Sequence, residues 1–189
     1  MGTMEEVAKR ILLIAATTGY QTRAFAEAGE RLGYEVQLAT AHCPRLGDPW
    51  GDHAIPVKFH KPEASATTIL GVAEQSGRFD GIVAVGDRPS YVAAVAARQL
   101  GIPYSSPESV FACWNKYYAR EQFRSAGLNV PGYRRILIED GPEQAARDTK
   151  YPCVLKPLGL SASRGVIQGL LAGKKAAGEH ADSSRGGHG

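Results

Sequence analysis

The 189-residue sequence predicts an α/β fold over residues 10–104. Three observations carry this. The run Ile11 to Ala16 is short and continuously apolar, as expected of a strand buried on both faces. Strand-like runs alternate regularly with stretches of helical period. The connections between them are short, and with the right-handed crossover rule this makes a parallel sheet the economical solution.

The first strand is predicted over 11–16, Ile-Leu-Leu-Ile-Ala-Ala, ending in the tight turn Thr17-Thr18-Gly19. Ala24, Phe25, Ala28 and Leu32 then recur at helical spacing, Gly33 stands where a helix stops, and 34–40 reads as a second strand. Residues 41–61 are rich in Pro, Gly, Asp and His and read as loop with one short strand at 54–59. His42, Cys43, Asp48, Asp52 and His53 in this loop match no recognised metal-site spacing, so a solvated polar loop is the expectation. A helix over 62–77, a strand over 80–85, an Ala-rich helix over 89–100 and a short strand over 102–104 complete a Rossmann-like open parallel sheet with helices on both faces. Ligands of such sheets lie at the strand C-terminal ends, here Thr17 to Gly19 and Gly86 to Arg88. Asp87 at that end is by default a turn-stabilising residue.

Ser105-Ser106-Pro107-Glu108 is a helix-start signal, either a capping box from Ser105 to Glu108 or an Ser106 cap with Pro107 first in the helix. Phe111, Trp114, Tyr118, Ala119, Phe123 and Ala126 fall on one face of the single helix that follows, with Trp114 and Phe123 expected in the core, and Gly127 and Pro131 stop it. A linking helix is thus expected within 105–131, after a first domain at 1–104. A strand at 133–138, a helix at 142–149, a strand at 151–156 and a returning strand at 165–167 predict a second, small α+β unit at 132–167. Its hairpin has nothing to pack on, and the glycine-rich tail 168–189 holds two large apolar residues, Leu170 and Leu171. Burying both would contribute roughly 3 to 6 kcal/mol, against roughly 20 to 40 for ordering the backbone. The expectation is a disordered tail and a domain cut short.

Composition excludes several classes of function. A net charge of +3 without a run of basic residues gives no nucleic-acid footprint. Three widely spaced cysteines, with no Cys-x-x-Cys pair, argue against a disulfide framework or structural zinc and for a reducing cytoplasm. No apolar stretch approaches the length of a membrane span, and residues 1–10 contain no apolar export segment. The first strand does not lead into G-x-G-x-x-G, and G-x-x-x-x-G-K-[ST] is absent.

The segment Tyr151-Pro-Cys-Val-Leu-Lys156-Pro, followed by Leu158-Gly-Leu-Ser161-Ala-Ser163-Arg164-Gly165-Val166, is the one that could carry chemistry. A strand delivers Lys156 at its end, and small residues follow whose amides can approach an anion closely. Such a loop suits a polyphosphate, with Lys156 as a point charge and Ser161 and Ser163 as hydroxyl donors. Arg164 would be a phosphate contact or a loop anchor. The same residues also fit an ordinary polar hairpin turn with an exposed lysine.

YPCVLKP followed by SRGV resembles the nucleotide-binding hairpin of the ATP-grasp superfamily. The upstream Asn115-Lys116-Tyr117-Tyr118, with Arg120, Phe123, Ala126-Gly127 and Val130-Pro131, resembles the segment leading into that domain. The likeness covers about residues 10–167, including the preceding Rossmann-like sheet. It implies that Lys116, by default a surface lysine, and Lys156 both approach ATP phosphates, and that the loop with Ser161, Ser163, Arg164 and Gly165 closes over them. The SASRGV form resembles the branch joining amino acids or other carboxylates to amines.

The resemblance further implies a cytoplasmic ligase of small-molecule substrates, in which a carboxylate attacks the γ-phosphate of ATP and the acyl phosphate is displaced by an amine. Mg²⁺ is implied for a complete family member. After Val166-Ile167 the family continues with an adenine-contacting hinge and a lobe bearing metal ligands, which this sequence does not show. The expectation is therefore a truncated chain, inactive alone, with apolar hairpin surface that favours homodimerisation, aggregation or protease sensitivity beyond Pro131. The rival expectation is a non-catalytic Rossmann-like module binding a small molecule, with the hairpin as decoration.

Overall fold

The computed structural model describes residues 8–16, 20–41, 53–147, 149–160 and 163–169. Its first unit, Met1–Trp114, is built on a four-stranded, wholly parallel sheet. The strands are β1 (Arg10–Ala15), β2 (Glu35–Thr40), β3 (Ile55–Pro56) and β4 (Gly81–Val85), in the spatial order β3-β2-β1-β4. Around them lie α1 (Tyr20–Arg31), α2 (Pro62–Ser76), α3 (Asp87–Leu100) and α4 (Pro107–Trp114).

The period-two alternation of β1 divides the core between the two faces of the sheet. Leu12 and Ile14 pack with Ile69 of α2 and with Val92 and Ala96 of α3. Leu13 and Ala15 pack with Leu38 and with Ala26 of α1. The small residues Ala93, Ala96 and Ala97 bring α3 close to the sheet and to α2, and all three are almost fully buried. At the opposite end from the strand C-termini, Arg10 fastens the opening of the sheet. Its guanidinium donates to Glu35 at 2.9 Å, to Ser76 O at 2.8 Å and to Gly77 O, and lies 5.0 Å over the Phe79 ring. Asp80 accepts from the Arg10 amide.

The α/β class and the strand–helix order are as expected, and several boundaries are not. No strand forms at 102–104. Gly101 turns α3 off in the left-handed region at φ 68°, and the buried Ile102 donates its amide back to Ala97 O at 2.9 Å rather than to a ladder. The strand expected at 54–59 is the two residues Ile55–Pro56, and the helix expected at 142–149 is α6 (Pro142–Arg147).

The expected single linking helix is two, α4 and α5 (Lys116–Ser125), and the division into units falls between Trp114 and Asn115. Asn115 leaves the helix at φ −88°, ψ 104°, and its Oδ1 accepts from the Tyr118 amide at 3.0 Å, capping a new helix. Of the two start signals, Ser106 is the acting cap of α4, accepting from the Ser109 amide at 3.1 Å ahead of Pro107. Phe123, expected in the core, is exposed, and Trp114 is half-buried against Phe111.

In the second unit, 133–138 is not a strand. Arg134 ties this segment to Ala145 O and Thr149 Oγ1 by its side chain, and Ile138–Asp140 forms a 3-10 turn in which Asp140 accepts from the Leu137 amide. The hairpin is β5 (Cys153–Leu155) with β6 (Ile167–Gly169), antiparallel, pairing Leu155 with Ile167 and Cys153 with Gly169. β6 therefore includes Gln168 and Gly169, which the sequence reading assigned to a tail. They complete the ladder opposite Val154 and Cys153. The rest of the expected tail, 170–189, lies outside the described residues, as do Thr17 to Gly19 and the 42–52 loop.

Candidate functional site

The hairpin turn of the second unit gathers most of the singled-out residues. Lys156 follows directly on β5 and is exposed. No hydrogen bond or ion pair engages it among the described residues. Ser163 and Gly165 both have positive φ, 58° and 68°, with Arg164 between them, and all three are exposed. Left-handed residues on either side of one of negative φ can turn successive backbone N–H groups toward one side, a geometry that favours anions. Gly165 is sterically required, since a Cβ there would stand 2.8 Å from Pro157 Cγ in addition to the strained φ. Ser161 lies outside the described residues.

Lys116 reaches the same turn from far back in the sequence. As the first residue of α5, behind the Asn115 cap, it directs its Nζ to the carbonyl oxygens of Leu160 at 2.5 Å and Leu158 at 3.3 Å. The structure thus brings Lys116 onto the turn that begins with Lys156. Sequence spacing could not show this, because the partners are more than forty residues apart and share no period.

Behind the turn, α5 is held to the 133 segment by a small polar and aromatic cluster that the sequence reading missed. Tyr133 donates its hydroxyl to Glu121 Oε1 at 2.8 Å, Arg124 pairs with Glu121 and lies over the Tyr133 ring, and Tyr117 meets that ring edge-on. The Tyr133 hydrogen bond, followed by the field of Arg124, holds the Glu121 carboxyl below the usual carboxylate range. Partial burial first, and the Glu121 hydrogen bond second, push the Tyr133 hydroxyl up.

In the first unit, the strand order turns about β1, with β2 and β3 to one side and β4 to the other. This is the switch point at which α/β sheets hold ligands. β4 runs there into Gly86 and the exposed Asp87 in the first turn of α3. Ser90 donates to Gly86 O at 2.8 Å. Burial raises the Tyr104 hydroxyl above its ordinary range, opposed by a hydrogen bond with Ser90.

Comparison with known proteins gives three findings. Residues 25–104 match the family model of the ATP-grasp N-terminal domain. Over 182 residues, 95% of the chain, it is 29% identical to the uncharacterized protein y4rH of Sinorhizobium fredii (strain NBRC 101917 / NGR234), of which the match covers 37%. Solved structures share the fold. The L-amino acid ligase from Bacillus licheniformis matches at TM-score 0.66 and 22% identity, over 85% of this chain and 38% of that one. An N5-carboxyaminoimidazole ribonucleotide synthetase in complex with ADP matches at 0.62 and 19%, over 87% and 41%. The chain therefore spans about two fifths of the length of the proteins it matches.

Proposed function

We propose that this chain, whose residues 25–104 match the ATP-grasp N-terminal domain, works as part of an ATP-dependent ligase joining a small-molecule carboxylate to an amine. The observation that carries this reading is the meeting of Lys116 with the turn that starts at Lys156. Among the compared structures, an L-amino acid ligase has the same fold, and the synthetase structure holds ADP.

Phosphoryl transfer from ATP to a carboxylate needs the triphosphate held in place and its charge neutralised. In this reading Lys156 provides a free ammonium for the phosphates. Ser161 and Ser163 donate hydroxyls, Arg164 contacts phosphate or anchors the loop, and Gly165 lets the backbone approach closely. The positive φ at Ser163 and Gly165 and the exposure of Lys156 fit a bound polyphosphate. The carboxylate so activated, as an acyl phosphate, is the species an amine displaces. Among the described residues no three His, Cys, Asp or Glu side chains gather as a site for Mg²⁺.

Three or four charge-assisted hydrogen bonds contribute roughly 5 to 12 kcal/mol, and immobilising the nucleotide costs roughly 4 to 15 kcal/mol. These 189 residues by themselves are therefore expected to bind ATP in the millimolar range and to release no ADP on addition of amino acids. Titration calorimetry with ATP tests the first statement, and a coupled ADP assay tests the second. Failure of millimolar ATP to bind would remove the hairpin from the reading. Free Cys113 and Cys153 agree with a cytoplasmic setting, and exposed Val154, Leu155 and Ile167 offer apolar surface for a homodimer. Among the described residues no helix is long and apolar enough to cross a membrane.

One observation favours the rival reading, a non-catalytic small-molecule binding module. Among the described residues every buried hydrophobic lies between Leu12 and Ile102, so the first unit carries its own core. If that reading holds, a chain ending at Trp114 binds every ligand that the full chain binds.

A further inference from the structure

The hairpin turn has little to hold it. β5 and β6 have three residues each, and a two-stranded ladder of that length is marginal in water. Leu155 and Ile167, paired at the turn end of the ladder, are each about half exposed, so apolar packing contributes little there. Within the turn, Val166 donates to Ser163 O at 3.3 Å. Against this weak local order stands a charged link from another element. Lys116 Nζ, fixed at the start of a capped helix, draws together the carbonyl oxygens of Leu158 and Leu160.

We propose that Lys116 is a positioning residue for the turn, holding the 158–160 backbone in place before nucleotide arrives. The inference rests on the ATP-site reading above and deepens it. Carbonyl oxygens left bare beside a triphosphate would repel it, and the ammonium cancels their partial charge. An ammonium carries three N–H donors. Two are engaged by the turn, and the third is left for a phosphate oxygen. The cation that orders the turn thus also adds positive charge to the site. Lys156 does not share this work, because it makes no such bond among the described residues.

Hydrogen–deuterium exchange on the full chain tests the assignment. Amides of 158–160 and 163–166 are followed without nucleotide in wild type, Lys116→Gln, Lys116→Arg and Lys156→Gln. Loss of charge-assisted hydrogen bonds predicts roughly tenfold or faster exchange of these amides in Lys116→Gln, with the β1–β4 amides unchanged. Lys116→Arg restores most of the protection, and Lys156→Gln leaves it at the wild-type level. Unchanged turn exchange in Lys116→Gln overturns the proposal. So does equal acceleration in Lys156→Gln, which would mark a general effect of charge, or equal acceleration in Lys116→Arg throughout 115–169, which would mark simple loss of fold.

A parallel titration with inorganic triphosphate separates the two claims. Wild-type binding, weakened in both Lys116→Gln and Lys156→Gln, agrees with both. Absence of binding by wild type refutes the ATP site while the nucleotide-free exchange result still decides whether Lys116 orders the turn.

Discussion

Gly165 is the residue at which the hairpin is most exposed to a single change. A methyl group there meets Pro157 Cγ at 2.8 Å and must sit at φ 68°. Gly165→Ala is expected to destabilise the β5–β6 hairpin by roughly 1–2 kcal/mol from the left-handed backbone alone. Exchange of the 153–155 and 167–169 amides would rise accordingly, and unchanged rates would show that the turn adjusts freely. The residues of this turn were legible in the sequence because strand, lysine and small-residue loop are contiguous. Lys116 was not legible from its own surroundings. On a helix surface it reads as solvated, and only the family likeness pointed to it before its bonds to Leu158 O and Leu160 O were seen.

At the scale of elements, two clusters decide how pieces are joined. Arg10 links the starts of β1 and β2 to the end of α2, and its side chain is largely buried. Arg10→Ala leaves Glu35 and two carbonyls without their donor and is expected to cost about 2 to 4 kcal/mol, read from the urea midpoint. A shift under about 0.5 kcal/mol would show those bonds to be replaced by water.

The second cluster gives a pH window. Glu121, its folded value lowered, contributes stability above the ordinary carboxylate range, and this is lost as pH falls through the lowered value. Tyr133, its folded value raised, contributes stability below the ordinary tyrosine range, and this is lost as pH rises through the raised value. Near-UV dichroism of the tyrosines should therefore hold steady across neutral pH and change at both the acid and the alkaline edge. In Tyr133→Phe the acid-edge change moves toward ordinary carboxylate titration.

The split between α4 and α5 illustrates where element boundaries escape the sequence. The aromatic period from Phe111 to Phe123 runs across Asn115, and side-chain capping by that one residue overrides it. The strand expected at 133–138 failed for a related reason. The Arg134 side chain finds backbone and hydroxyl acceptors within the same unit, and among the described residues no strand pairs with the segment. By contrast, the β1 and β2 runs were legible within a residue or so, because the later residues of each are buried on both sheet faces, which leaves little freedom in composition.

Across the whole molecule, core and candidate chemistry are divided between the two units. Among the described residues the first unit holds the buried hydrophobics, while the second holds the lysine-bearing turn with exposed Val154, Leu155 and Ile167. Limited trypsin digestion is expected to cut first in the second unit, leaving a resistant fragment that ends near Trp114. Cleavage first at Arg98, within α3, would contradict this division. The α/β class was legible as a whole, since it depends on many residues agreeing. Where the chain folds into its second unit depended on single caps and side-chain bonds.

The most direct test of the central claim, that the β5–β6 turn grips the triphosphate of ATP, is an amide-resolved NMR titration of the full chain with ATP, in wild type and in Lys156→Gln. The account predicts shifts centred on Lys116, Lys156 and 163–166 at millimolar ATP, markedly weakened by the substitution. Shifts confined to the first unit, or a Lys156→Gln response equal to wild type, would contradict it.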